Sequence, residues 1–118
     1  MLVADAHEKL RDELVRRLQD SLAGWDVLPA ADGDSLLLLG QRLAAGVVIM
    51  DVILPGGGLK IIEHLKQQQP GVKVVVFSLC DGSHFQEQAI KAGASAFISK
   101  GRPFPEILDA VKSVLSVA

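Results

Sequence analysis

The chain has 118 residues, 49% of them apolar and 22% charged, and a net charge of −2. This is the composition of one ordinary globular domain, residues 1–118, able to bury a core without staples. It argues against a nucleic-acid backbone or an acidic membrane as electrostatic partner, and its single cysteine, Cys80, rules out an intrachain disulfide.

Leu2-Val3-Ala4 is a first apolar run, ending at Asp5. Leu10, Leu14, Leu18 and Leu22 then recur every four residues and predict a helix from about His7 to Ala23, stopped by Gly24. Trp25-Asp26-Val27-Leu28 reads as a second strand. Asp32 or Asp34 can cap a second helix that continues through Ser35 to Leu43 and ends before Gly46. Leu36 to Leu39 has no clear period, and only the flanking caps favour helix there. Val47-Val48-Ile49-Met50 is a third strand, ending at Asp51, and Pro55-Gly56-Gly57-Gly58 is a loop. Ile61, Ile62 and Leu65 mark the third helix, closed by Pro70-Gly71 before a fourth strand from Lys73 to Ser78. Ser83 with Gln86 predicts a capping box, Phe85, Ala89 and Ile90 a buried stripe, and Gly93 a left-handed terminus. Ala96-Phe97-Ile98 is the fifth strand, just before Ser99-Lys100. The last helix follows Pro103 and Pro105, with Ile107, Leu108, Val111, Val114 and Leu115 inward.

A β-α unit repeated five times predicts an α/β fold: a flavodoxin-like (βα)5 three-layer sandwich with a parallel sheet in the order 2-1-3-4-5. That order sets Asp5 beside Asp51 at the carboxyl edge, where open sheets bind ligands. Asp5, Asp51, Ser78 and Lys100 converge there and point to a phosphoryl or metal site. Paired carboxylates suit Mg²⁺, an ammonium and a hydroxyl suit phosphate oxygens, and an aspartate can itself accept a phosphoryl group.

Three stretches carry a more specific likeness: Val48-Ile49-Met50-Asp51-Val52-Ile53-Leu54-Pro55-Gly56, Val75-Val76-Phe77-Ser78 and Gly93-Ala94-Ser95-Ala96-Phe97-Ile98-Ser99-Lys100. Together they resemble a bacterial two-component response-regulator receiver domain, most like the receivers that precede LuxR/NarL-type helix-turn-helix domains. The resemblance implies Asp51 as phosphoacceptor, Asp5 as acidic-pocket residue and Ile53 as a metal ligand through its carbonyl. It implies Ser78 and Lys100 as contacts of the phosphoryl group, and Phe97 as the switch residue. It also implies Mg²⁺ as cofactor and a sensor histidine kinase or histidine phosphotransfer protein as phosphodonor. A homodimer through helix four, strand five and helix five belongs to the same expectation, as does a DNA-binding output domain in a longer protein. The chain departs from the family at two points. Ala6 stands where a second acid usually follows Asp5, and the loop after Asp51 is about one residue short. The first departure predicts weak Mg²⁺ binding.

Plainer readings exist for each residue. Asp51 could cap the Pro55 turn, Asp5 the first helix and Ser78 a loop, while Lys100 could be solvated and Phe97 could be core. Gly56, Gly57 and Gly58 lack the Gly-Lys-Ser/Thr ending of a phosphate loop and read as turn residues. His7, His64 and His84 have no partners at metal spacing, and Cys80 reads as structural. Three function classes follow: a phosphoacceptor switch rather than a turnover enzyme, a pseudoreceiver that only binds partners, and a phosphatase or flavin protein. The third is disfavoured, because Asp51-Val52-Ile53 is not an Asp-x-Asp pair and no phosphate-binding loop follows strand one. With no spanning run and no secretory leader pattern, no direct nucleic-acid or membrane binding is expected, and the expected address is cytoplasmic.

Overall fold

The computed structural model describes residues 1–43, 46–79 and 82–115. Five strands and five helices alternate along it: β1 Leu2–Ala4, α1 Glu8–Ser21, β2 Leu28–Ala30, α2 Gly33–Leu43, β3 Val47–Met50, α3 Leu59–Gln68, β4 Lys73–Ser78, α4 Ser83–Ala92, β5 Ala96–Ser99 and α5 Phe104–Leu115. All strand pairs are parallel, in the order β2-β1-β3-β4-β5, as expected from the sequence.

Because successive strand residues face opposite sides of a sheet, each strand feeds two cores. Val48, Met50, Val74 and Val76 meet Leu36, Ile61, Ile62, Leu65 and Ala89 of α2, α3 and α4. Val47, Ile49, Val75 and Phe77 meet Leu14, Leu18, Ile107, Val111 and Val114 of α1 and α5. Covered on both faces, β3 is buried at every position, which is why its sequence is continuously apolar rather than alternating.

Several local expectations shift. The second strand runs from Leu28 to Ala30 rather than from Trp25 to Leu28. The Gln19 side chain donates to the Trp25 carbonyl at 2.5 Å and accepts from the Val27 N–H at 2.9 Å. The backbone there is bonded to a helix side chain and enters the ladder only afterwards. Pro29 is tolerated because β2 is an edge strand. Helix α1 closes at Ser21 with Leu22 as cap, and Gly24 turns the chain just beyond with φ of 83°. Of the two candidate caps for α2, Asp32 serves: its Oδ1 accepts the Ser35 N–H at 2.7 Å. The Ser83–Gln86 capping box does not start α4, because Gly82 holds the cap position and Ser83 is already helical. Nor is Ile90 part of the buried stripe; it is exposed, Phe85 is half-buried and Ala89 is fully buried. Gly93 does close α4 in the left-handed region, at φ of 115°. Cys80 lies outside the described residues.

Candidate functional site

Three polar residues just past strand ends are held by one device. Each gives its backbone N–H to the last carbonyl of a neighbouring strand: Asp5 to Ala30 at 3.2 Å, Asp51 to Ala4 at 3.0 Å and Lys100 to Ser78 at 3.0 Å. The ladder therefore continues one residue beyond each strand and fixes the backbone of each polar group. Ala4 pairs with Met50, which sets Asp5 and Asp51 side by side, and Ser78 pairs with Ser99, which sets Ser78 next to Lys100.

Asp5, Asp51 and Ser78 are buried, the polar or charged side chains among the buried described residues. Lys100 Nζ lies 2.6 Å from Asp5 Oδ2 and 2.6 Å from Asp51 Oδ2. The second oxygen of each carboxylate accepts a backbone N–H two residues on, from His7 to Asp5 Oδ1 at 2.8 Å and from Ile53 to Asp51 Oδ1 at 2.9 Å. The ammonium also stands 5.8 Å from the centre of the Phe77 ring. Burial works against its charge. The hydrogen bonds to Asp5 and Asp51, and their charges, outweigh burial and raise the Lys100 pKa above the ordinary lysine value.

Among the described residues no three His, Cys, Asp or Glu side chains gather into a metal cage. Asp5, Asp51 and the Ile53 carbonyl are nonetheless a hard-oxygen set of the kind Mg²⁺ accepts. Each carboxylate has one oxygen on a backbone N–H and the other against Lys100, so a cation here has to share the acids with the ammonium. Ala6, exposed beside Asp5, adds no donor; it borders a shallow hollow with residues Val52 to Gly58. The loop turns through Gly56 and Gly58 at φ of 67° and 92°, with the Gly58 N–H on the Val52 carbonyl at 2.9 Å. Ile53 itself points outward, 62% exposed.

Phe97 is half-buried and meets the edge of Phe85 at 5.6 Å, with ring planes at 79°. It thus joins β5 to α4, and it borders a hollow with Gln86, Arg102 and Glu106. The remaining expected residues, Asp5, Asp51, Ile53, Ser78 and Lys100, all come from the carboxyl edge of the sheet.

Three further residues escaped the sequence reading. His7 caps α1, its Nδ1 accepting the Leu10 N–H at 3.2 Å; histidine is not among the usual caps. Arg11 donates from Nη1 to the Asp5 carbonyl at 2.9 Å. Its signal was a cation near a helix N-terminus, where the dipole prefers anions. Gly33 starts α2 against the acceptor loop, its N–H on the Pro55 carbonyl at 2.8 Å.

The family profile described as "Response regulator receiver domain" matches residues 1–112 of this chain. The chain is a response-regulator receiver domain. This receiver is 36% identical over 118 residues to the response regulator GacA of Pseudomonas aeruginosa, covering 98% of this chain and 55% of that protein. The receiver thus spans about half the length of the curated relatives it matches. A LuxR-family response regulator from an Aurantimonas species superposes with a TM-score of 0.90 at 28% identity, covering 98% of this receiver and 83% of that chain. The receiver domain of NtrX from Brucella abortus gives 0.89 at 28% identity, covering 99% and 98%. Among the described residues no helix is long and apolar enough to cross a membrane.

Proposed function

We propose that this receiver is a phosphoacceptor switch in which Asp51 takes a phosphoryl group from a phosphohistidine on a sensor kinase or phosphotransfer protein. The observation that carries this reading is the buried Asp51 carboxylate at the end of β3 with an ammonium 2.6 Å from its Oδ2. In the transfer a carboxylate oxygen of Asp51 attacks phosphorus, the phosphorus–nitrogen bond breaks, and the imidazole leaves. Lys100 neutralises charge that builds on the phosphoryl oxygens, and the Ser78 hydroxyl donates to one of them; positioning and electrostatics carry such reactions. Asp5, Asp51 and the Ile53 carbonyl would hold Mg²⁺, which would add further charge neutralisation. Once Lys100 and Ser78 turn to the phosphoryl oxygens, Phe97 repacks and the surface of α4, β5 and α5 changes population. That surface is where a second copy would pair. A DNA-binding output domain in a longer protein, and the cytoplasm as location, complete the proposal.

Ala6 favours a second reading, a pseudoreceiver that binds partners with little metal-dependent phosphorylation. At ~4 Å and an effective dielectric of ~20, one missing carboxylate removes on the order of 4 kcal/mol of attraction for a unit charge, before desolvation is set against it. Intact mass after acetyl phosphate, with and without Mg²⁺, separates the two. The switch reading expects one added phosphoryl group on wild type, none on Asp51→Asn, and faster labelling with tighter Mg²⁺ binding in Ala6→Asp. Absence of labelling in wild type together with its recovery in Ala6→Asp supports the pseudoreceiver. Equal labelling of wild type and Asp51→Asn removes Asp51 from the mechanism.

A further inference from the structure

We infer that Arg11 is a positioning residue for the acidic pocket, acting through Asp5; this rests on the phosphoacceptor reading for its consequence, not for its geometry. Asp5 is tied at four points. Its N–H goes to Ala30, its Oδ1 accepts from His7, its Oδ2 faces Lys100, and its carbonyl accepts from Arg11 Nη1 at 2.9 Å. The carbonyl contact is the one that comes from a side chain of α1, so it couples the seating of that helix to the direction of the acid.

The guanidinium is placed at a cost. The Arg11 side chain is only 14% exposed, and its buried Nε has no hydrogen-bond partner among the described residues, with Asp12 Oδ1 at 3.8 Å as an ion-pair neighbour. A buried N–H without an acceptor is destabilising, and a cation in the first turns of a helix opposes the dipole. Both costs accompany the hydrogen bond from Nη1 to the Asp5 carbonyl. With Ala6 in place of a second acid, Asp5 is the one carboxylate that the turn between β1 and α1 brings to the pocket, so its direction counts for more.

Arg11→Met keeps the apolar stem and removes the donors, and Arg11→Lys keeps a charge and a donor. NMR of the donor-free protein reads the Asp5 carboxyl carbon and the exchange rate of the His7 amide. Intact mass reads the maximal rate and half-saturating concentration of acetyl phosphate. In Arg11→Met the Asp5 carbon signal should move and His7 exchange should speed ~tenfold relative to the α1 amides. The maximal phosphorylation rate should fall ~tenfold with half-saturation unchanged, and Arg11→Lys should recover part of each. An unmoved Asp5 signal overturns the inference, as does uniform acceleration of all β1 and α1 amides, the mark of general destabilisation. If Arg11→Met does not fold, Arg11→Lys and Arg11→Gln carry the same comparison. If wild type takes no phosphoryl group, the phosphoacceptor reading fails while the Asp5 and His7 signals still decide the role of Arg11.

Discussion

Lys100 faces two buried carboxylates with one ammonium, and this sets what single substitutions do. Lys100→Met leaves Asp5 and Asp51 as neighbouring like charges with their counterion gone, and should destabilise the domain by about 3 kcal/mol near neutral pH. Asp51→Asn removes one of the two acids and leaves a matched Lys100–Asp5 pair, so it should be neutral or stabilising, as residues kept for chemistry often are. Urea midpoints of the three proteins check this, and a higher midpoint for Lys100→Met would contradict it. The same contacts give a pH dependence. Because the folded pKa of Lys100 is raised, its contribution is complete below the ordinary lysine value of 10.5. Above it the folded state holds the proton that the unfolded state has lost, so stability falls with rising pH until the folded pKa is passed. Wild type should therefore lose stability above about pH 10.5 more steeply than Lys100→Met. Parallel alkaline limbs would show that the contacts contribute nothing.

At the scale of elements, the start of α2 and the acceptor loop are built against each other. A Cβ on Gly33 would stand 2.2 Å from the Gly56 carbonyl oxygen and 2.7 Å from its carbon, and both are backbone atoms. Gly33→Ala should push the β3–α3 loop away, cost about 2 kcal/mol, and slow phosphorylation by moving the Ile53 carbonyl. Gly71→Ala, where a Cβ meets nothing within 4 Å, is the control and should change the urea midpoint little. If the two variants are equally stable, α2 and the loop do not depend on close approach. Gly33 was not legible in the sequence, because its need comes from a loop 22 residues on, through the Gly33–Pro55 hydrogen bond. The edge of β2 was misread for a related reason: Gln19, in a helix, occupies the backbone of Trp25 and Val27. By contrast Ile61, Ile62 and Leu65, all buried, follow from helical period alone.

On the scale of the whole molecule, two cores share one sheet, and β3 and β4 contribute side chains to both. Loss of either core exposes the same strands, so unfolding should be a single cooperative transition. The one tryptophan, Trp25, packs on the α1/α5 core and borders a hollow with Met1, Leu2, Leu28 and Leu43, at the end of the sheet away from Asp51. Its emission should follow global unfolding in step with far-ultraviolet circular dichroism and barely respond to beryllofluoride; a fluorescence transition that precedes the dichroism would reveal separate units. The order of elements, the parallel sheet and the strand-end position of Asp5, Asp51, Ser78 and Lys100 were determined by the sequence itself. Hydrophobic period and the residue that ends an apolar run are local properties, and right-handed crossovers leave few ways to connect them. Tertiary structure alone decided that one ammonium serves both acids, that Arg11 reaches the Asp5 carbonyl, and that Gly33 meets the acceptor loop. Two of these contacts join residues far apart in the chain, and Arg11 reaches back across the turn from strand to helix. All depend on register and helix seating to a fraction of an ångström, which no pattern of residue types along the chain encodes.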